Sequence, residues 1–258
     1  MITSHQNSKV KLARALLGRA KERRESGLFV IEGVRLFEEA VNSNWEIKFV
    51  LYDETLSERG KSKVESLRSK NIEAEEVSAS VMKSISETET PQGVLAILKF
   101  SELPITNRLN FVLIPDQIRD PGNLGTLLRS AIATRVQAVL IPPDTTDAFA
   151  PKVLRSGMGA HFKLPIHEMS WEEIQEVVKD VNVLIADMDG QSCWETDLTK
   201  PTALIIGNEA DGASKSARKL ANGKISIPMS GDVESLNAGV AGSVLMFETL
   251  RQRIVNSE

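Results

Sequence analysis

Four mainly apolar runs, Phe111–Ile114, Val136–Ile141, Val181–Ala186 and Ala203–Ile206, broken only by Gln137 and Asn182, constrain the fold of this chain more than any other feature. They are short, and none alternates between apolar and polar residues as a strand with one wet face would. Continuous apolarity of this kind suits strands buried on both faces, so the runs predict an α/β architecture with a mainly parallel sheet covered by helices. One intervening pattern, Leu124, Leu127, Leu128, Ala131 and Ile132, has the i, i+3, i+4, i+7, i+8 spacing of a helix face. A last helix over Ala238–Ile254 carries Val240, Val244, Phe247, Leu250 and Ile254 on one side.

A polar break with a proline, near residues 100–109, separates this half from a front part. There, strands expected at Leu28–Ile31, Ile47–Tyr52, Ile72–Val77 and Val94–Leu98 alternate with helices expected at Lys9–Arg24, Val34–Ser43, Leu56–Ser69 and Ser80–Ser86. The alternation predicts a small α/β/α sandwich over residues 1–102, followed by a second domain over 108–258.

The net charge of −4 argues against a protein that holds nucleic acid by bulk charge. Locally, the stretch Lys9–Arg24 holds seven basic residues against Glu22 alone, interleaved with apolar ones. Lys9, Lys11, Arg14 and Arg24 are candidate RNA contacts on such a helix. A solvated cationic face explains the same pattern equally well. No apolar stretch reaches the roughly 20 residues needed to span a bilayer, and the N-terminus lacks the apolar core of a signal peptide. Cys193 is the sole cysteine, so an intrachain disulfide is impossible and a reducing cytoplasm is the expected location. With three scattered histidines besides, no metal site is expected.

Three segments carry the chemistry. In the first, Asp120-Pro-Gly122 turns into a helix through Asn123-Leu-Gly-Thr-Leu-Leu-Arg129, leaving Asn123 and Arg129 off the apolar stripe. A helix start attracts phosphate or carboxylate, and Arg129 can fork onto phosphate oxygens. Alternatively, Asn123 caps the helix and Arg129 forms a surface ion pair. The second segment, Gly207-Asn-Glu-Ala-Asp-Gly212, leaves a buried strand directly and holds Glu209 at the sheet's carboxyl edge, where ligands collect. In the third, the strand Ile225-Ser-Ile227 stops at Pro228, and a loop from Met229 enters the last helix through Ser235-Leu236-Asn237. Ser235 or Asn237 as a plain N-cap is the simpler reading of that entry. No dinucleotide glycine fingerprint, phosphate loop or nucleophile elbow is present, which sets aside a nicotinamide oxidoreductase. Asp187-Met-Asp189-Gly lacks the later ligands of a cation loop and reads as a solvated strand end.

In their order and spacing, the three segments resemble the motifs of the SpoU/TrmH branch of the SPOUT RNA methyltransferases. The resemblance extends over residues 108 to 256. Residues 1 to 100, with Leu28-Phe-Val-Ile-Glu-Gly33 as their most recognisable piece, are similar to the ribosomal-protein-like RNA-binding domain that often precedes it. The resemblance implies a deep trefoil knot, a homodimer, and transfer of a methyl group from S-adenosylmethionine to a ribose 2′-hydroxyl. The front domain points to ribosomal RNA of the 23S type. Methylation of tRNA, and a non-catalytic role in RNA binding or ribosome assembly, are the alternatives. By motif position, Ile206, Gly207, Asn208, Ile227, Met229 and Leu236 would hold the cofactor. Asn123, Arg129, Glu209, Ser235 and Asn237 would form the catalytic set. An arginine keeps its proton near neutral pH, so Arg129 is assigned to gripping the target phosphate and stabilising developing alkoxide charge. Glu209 or a water is then the proton acceptor.

Overall fold

The computed structural model describes residues 1–208, 212–231 and 235–255. Its first elements are α1 (Ser8–Gly18), α2 (Ala20–Ser26), β1 (Leu28–Glu32), α3 (Val34–Val41), β2 (Ile47–Tyr52), α4 (Glu58–Arg68), β3 (Glu73–Glu76), α5 (Ala79–Ser84) and β4 (Val94–Lys99). There follow β5 (Phe111–Pro115), α6 (Pro121–Ala133), β6 (Ala138–Ile141), α7 (Pro151–Gly157) and β7 (Ile166–Glu168). The last are α8 (Trp171–Val177), β8 (Asn182–Ser192), β9 (Thr202–Ile206), α9 (Lys215–Leu220), β10 (Gly223–Ser226) and α10 (Ala238–Val255). Two compact units result. One comprises Met1–Ser101 with Phe149–Phe162, and the other the remaining described residues.

The front unit is the expected α/β/α sandwich. Its sheet has the order β1-β4-β2-β3, with β4 antiparallel to both neighbours and β2 parallel to β3. Strand alternation sorts the core into two layers. Phe29, Ile31, Val94, Ala96 and Leu98 pack with Leu36 and Phe37 of α3 and Val64 and Leu67 of α4. Val30, Leu95 and Ile97 pack with Val10 and Leu16 of α1 and Val81 and Met82 of α5. The segment Phe149–Phe162 adds Leu154 and Phe162 to the first layer, and Phe149 meets the Phe100 ring edge-on at 4.6 Å.

The stretch expected as one helix, Lys9–Arg24, is two. Asn7 caps the first, its side chain accepting from Lys9 N at 2.9 Å. Arg19 then takes an extended backbone (φ −131°, ψ 113°) and ends it. The cause lies in Arg23, whose buried guanidinium turns back to donate to the carbonyls of Leu16 and Leu17. Those are last-turn carbonyls that a helix leaves without partners, so an apparent surface cation is a cap.

In the second unit all six strands are parallel, in the order β10-β8-β9-β5-β6-β7. The chain moves outward from β5 to β7, then crosses over to build β8, β9 and β10 on the other side. The strands β5 and β9 therefore become neighbours, with Phe111 opposite Thr202 and Pro115 opposite Ile206. A reversal of this kind opens a crevice at the carboxyl ends of the two strands.

Strand β8 runs past the expected Ala186 to Ser192 and meets β10 across a register shift between Lys224 and Ile225. Gly190 permits the approach, since a Cβ there would lie 2.6 Å from backbone atoms of Ile225. On one side of the sheet α10 packs along α6. A Cβ at Gly242 would overlap the Leu127 side chain, and Ser243 Oγ lies 2.7 Å from Ser130 Oγ. The core face of α10 is Gly239, Gly242, Leu245, Met246 and Thr249. The stripe read from the sequence faces outward: Val240, Phe247 and Ile254 are 47%, 49% and 46% exposed.

Candidate functional site

Asp120 caps α6, its side chain accepting from Asn123 N at 2.9 Å, with Pro121 in the first turn. Capping therefore falls to Asp120, and the Asn123 side chain points elsewhere. Its Oδ1 accepts from Asn237 Nδ2 at 2.9 Å. Asn237 in turn accepts from Val240 N through Oδ1 at 3.2 Å, and its carbonyl accepts from Ala241 N at 2.8 Å. Asn237 thus begins α10 and ties it to the start of α6. Ser235, the other cap candidate, is exposed two residues earlier. Arg129 is exposed on α6, nearly two turns beyond Asn123.

Beside this junction lies a cavity of about 670 Å³. Ile206, Gly207 and Asn208 of the second segment form part of its wall, and Ile227, Met229, Ser235 and Leu236 of the third form another part. Ala238, Ala241 and Leu245 of α10 complete the apolar lining. All six residues expected to hold the cofactor therefore share one space. Asn123, Arg129 and Asn237 do not line it, although Asn237 follows Leu236 directly. Glu209 lies outside the described residues.

The turn after β9 is held by backbone bonds in both directions between Asn208 and Gly212, each 3.0 Å. Gly212 adopts φ +68°, which favours glycine. A Cβ on Gly207 would come within 2.7 Å of Ala213 N, so the turn can close over position 207 only without a side chain. The end of β5 anchors it. Asp116 N donates to Ile206 O at 2.8 Å, Gln117 O accepts from Asn208 Nδ2 at 3.0 Å, and Asp116 Oδ2 accepts from Ser214 N at 2.6 Å. Asp116 is fully buried, and among the described residues its Oδ1 has no hydrogen-bond partner. Burial pushes its pKa above the usual carboxylate range, against the opposing pull of the Ser214 N–H.

Two charged wall residues were not anticipated. Asp187, read above as part of a solvated strand end, lines the cavity with Met188. Its Oδ2 pairs with Arg218 Nη1 at 3.0 Å and Lys224 Nζ at 3.1 Å. Burial alone would raise its pKa. The Asp189 N–H and these two cations outweigh burial and hold it low. Arg218 also lines the cavity and donates through Nε to Ala213 O at 3.1 Å. The available signal was position: Asp187 follows an apolar run at the carboxyl edge of the sheet. Among the described residues, no group of three or more potential metal ligands occurs.

In the front unit, Lys9 is engaged by Glu73 and Glu75 and sits 5.5 Å over the Phe49 ring. It is a structural cation joining α1 to β3. Lys11, Arg14 and Arg24 are exposed, with Arg14 donating to Ser84 Oγ at 3.2 Å.

A cavity of this size, largely apolar with a few polar groups on its wall, suits a nucleoside-sized ligand. Known proteins with this arrangement agree. Residues 110–247 match the SpoU rRNA Methylase family, and residues 7–96 match the MRM3-like substrate binding domain. The chain is 32% identical to the 23S rRNA (uridine(2479)-2′-O)-methyltransferase of Streptomyces viridochromogenes, over 98% of this chain and 92% of that protein. It is 33% identical to the 23S rRNA (guanosine(2553)-2′-O)-methyltransferase RlmP of Bacillus subtilis, over 95% and 97%. The crystal structure of the SpoU methyltransferase AviRb from Streptomyces viridochromogenes, in complex with the cofactor AdoMet, superposes with a TM-score of 0.89 at 30% identity, covering 96% of this chain and 99% of that one. The parallel sheet, the motif-lined cavity and these matches together establish that the chain belongs to the SpoU rRNA methylase family.

Proposed function

We propose that this protein transfers a methyl group from S-adenosylmethionine to a ribose 2′-hydroxyl of 23S-type ribosomal RNA. The observation that carries this reading is the cavity walled by the second and third segments next to the Asn123–Asn237 bond. Bound there, S-adenosylmethionine supplies an electrophilic methyl group on a sulfonium sulfur. Ile206, Gly207, Asn208, Ile227, Met229 and Leu236 hold its adenosine end. Asn123, Ser235 and Asn237 align the hydroxyl, which turns a bimolecular encounter into a positioned reaction. Arg129, exposed on α6, grips the neighbouring phosphate and stabilises alkoxide charge. Glu209 or a water takes the proton. Residues 1–102 act as the RNA-holding domain, with Lys11, Arg14 and Arg24 toward phosphates, and residues 108–258 carry the chemistry.

The enzyme works as a homodimer in the cytoplasm. The exposed apolar stripe of α10 supports the dimer, because covering it would stabilise the pair by about 25 cal/mol for each Å² of apolar surface taken out of water. No described helix is long and apolar enough to cross a membrane. A deep trefoil knot is part of the reading. It is supported by β10 lying beside β8 at the sheet edge while α10 returns to α6 and β9.

Incubating the purified protein with labelled S-adenosylmethionine and either ribosomal RNA or tRNA transcripts tests the proposal. Label should enter the ribosomal transcript as an alkali-resistant 2′-O-methyl mark. Exclusive labelling of tRNA, or none of either, would overturn it.

A further inference from the structure

Among the described residues lining the cavity, Asp187 and Arg218 are the only charged ones. The remaining wall is apolar or neutral and suits a nucleoside. A sulfonium nucleoside that also carries an amino acid needs something more, because its far end bears both an ammonium and a carboxylate.

Arg218 has the geometry for the carboxylate. Its Nη1 is committed to Asp187 Oδ2 at 3.0 Å and its Nε to Ala213 O at 3.1 Å, and neither bond uses Nη2. Two bonds at fixed distances set the guanidinium plane before any ligand arrives, which suits the forked recognition of carboxylates by arginine. Gly212 keeps the approach open: a Cβ there would stand 3.2 Å from Nη2. The Arg218 side chain is 46% exposed and that of Asp187 16%, so the guanidinium sits at the rim with its anchor deeper. Lys224 lies 3.1 Å from the same Asp187 oxygen. Arg218 also feels the buried carboxyl of Asp116, whose raised pKa lessens its claim on the guanidinium, so Asp187 is the carboxylate that Arg218 and Lys224 share directly.

We propose that Arg218, positioned by Asp187 and the Ala213 carbonyl, binds the carboxylate at the amino-acid end of S-adenosylmethionine. This assignment rests on the methyltransferase reading above. It makes Arg218 a cofactor-binding residue and Asp187 a positioning residue.

Calorimetric titration with two ligands separates this from a purely structural clasp. S-adenosylhomocysteine carries the amino-acid end, and 5′-methylthioadenosine lacks it. Arg218→Ala should weaken S-adenosylhomocysteine by about ten- to a hundred-fold, the usual loss for a hydrogen bond to a charged group. Methylthioadenosine should change less than about two-fold, within the error of near-neutral substitutions. Asp187→Asn should act in the same direction more weakly, and Arg218→Lys should recover part of the loss. Equal weakening of both ligands would mean that Arg218 only holds the cup together, and no weakening of either would mean that it touches nothing; each result overturns the proposal. Failure of the unaltered protein to bind either nucleoside would instead sink the methyltransferase reading itself, and this assignment with it.

Discussion

Asn237 and Asn123, more than a hundred positions apart in the chain, share a hydrogen bond of 2.9 Å that joins the first turns of α10 and α6. The bond fastens the first segment to the third at the point where Leu236 enters the cavity wall.

Removing either asparagine should therefore cost more than its own contacts. Asn237→Ala also deletes an N-cap, a loss of about 1 kcal/mol. A double-mutant cycle with Asn123→Ala, followed by urea unfolding, should return a coupling energy of about 0.5–1.5 kcal/mol. Strict additivity would mean that the two helix starts are independent.

Arg129 makes a contrasting prediction. It is exposed on α6, outside the cavity wall, so Arg129→Ala should leave the thermal midpoint and S-adenosylhomocysteine affinity unchanged. Loss of its electrostatic support should lower kcat by about 10²–10³. If Arg129 were the base, Arg129→Lys would change the pH dependence of kcat. With Arg129 as phosphate grip, the pH profile keeps its shape and only its height falls.

Gly190→Ala should be among the most damaging single-methyl changes in the second unit. The added Cβ would meet the backbone of Ile225, which has no side-chain rotation to yield by. Overpacking of this kind costs about 1–3 kcal/mol. Because Ile225 also lines the cavity, cofactor affinity measured by calorimetry should fall along with the denaturation midpoint.

The buried carboxyl of Asp116 gives a signed pH effect. Burial raises its pKa in the folded protein, with Asp144 adding to the rise, while the Ser214 N–H and Arg218 oppose it. A carboxyl raised on folding contributes stability that is complete below its unfolded pKa and is lost as pH climbs through the folded value. Asp116→Asn keeps an oxygen for Ser214 N and cannot ionise. Its unfolding free energy should fall less steeply than that of the parent as pH rises from the ordinary aspartate range into the weakly acid range. Parallel curves would show that Asp116 titrates normally.

Much of this architecture was legible because the relevant signals are local. The four apolar runs marked the parallel strands, and the loops after Ile206 and Ile227 marked the cavity wall. Other parts depend on partners far away in the chain. Nothing near Arg19 announces that Arg23 turns back onto Leu16 and Leu17. The extension of β8 through Asp187–Gly190 is polar, and it becomes strand only because β10 arrives beside it. In α10 the periodic apolar stripe faces outward, while the buried side relies on Gly239 and Gly242, which hydropathy does not score as core. Lys9 looked like an RNA contact because Glu73 and Glu75 stand remote from it in sequence.

The ladder between β5 and β9 has a kinetic corollary. Its two strands are separated by the whole of α6 through β8, so the ladder forms only after a long excursion of chain has been brought back, a slow kind of contact to close. Helical signal should accordingly recover early after dilution from denaturant, with affinity for the nucleoside returning late. Ligand capture then reports arrival at the finished topology.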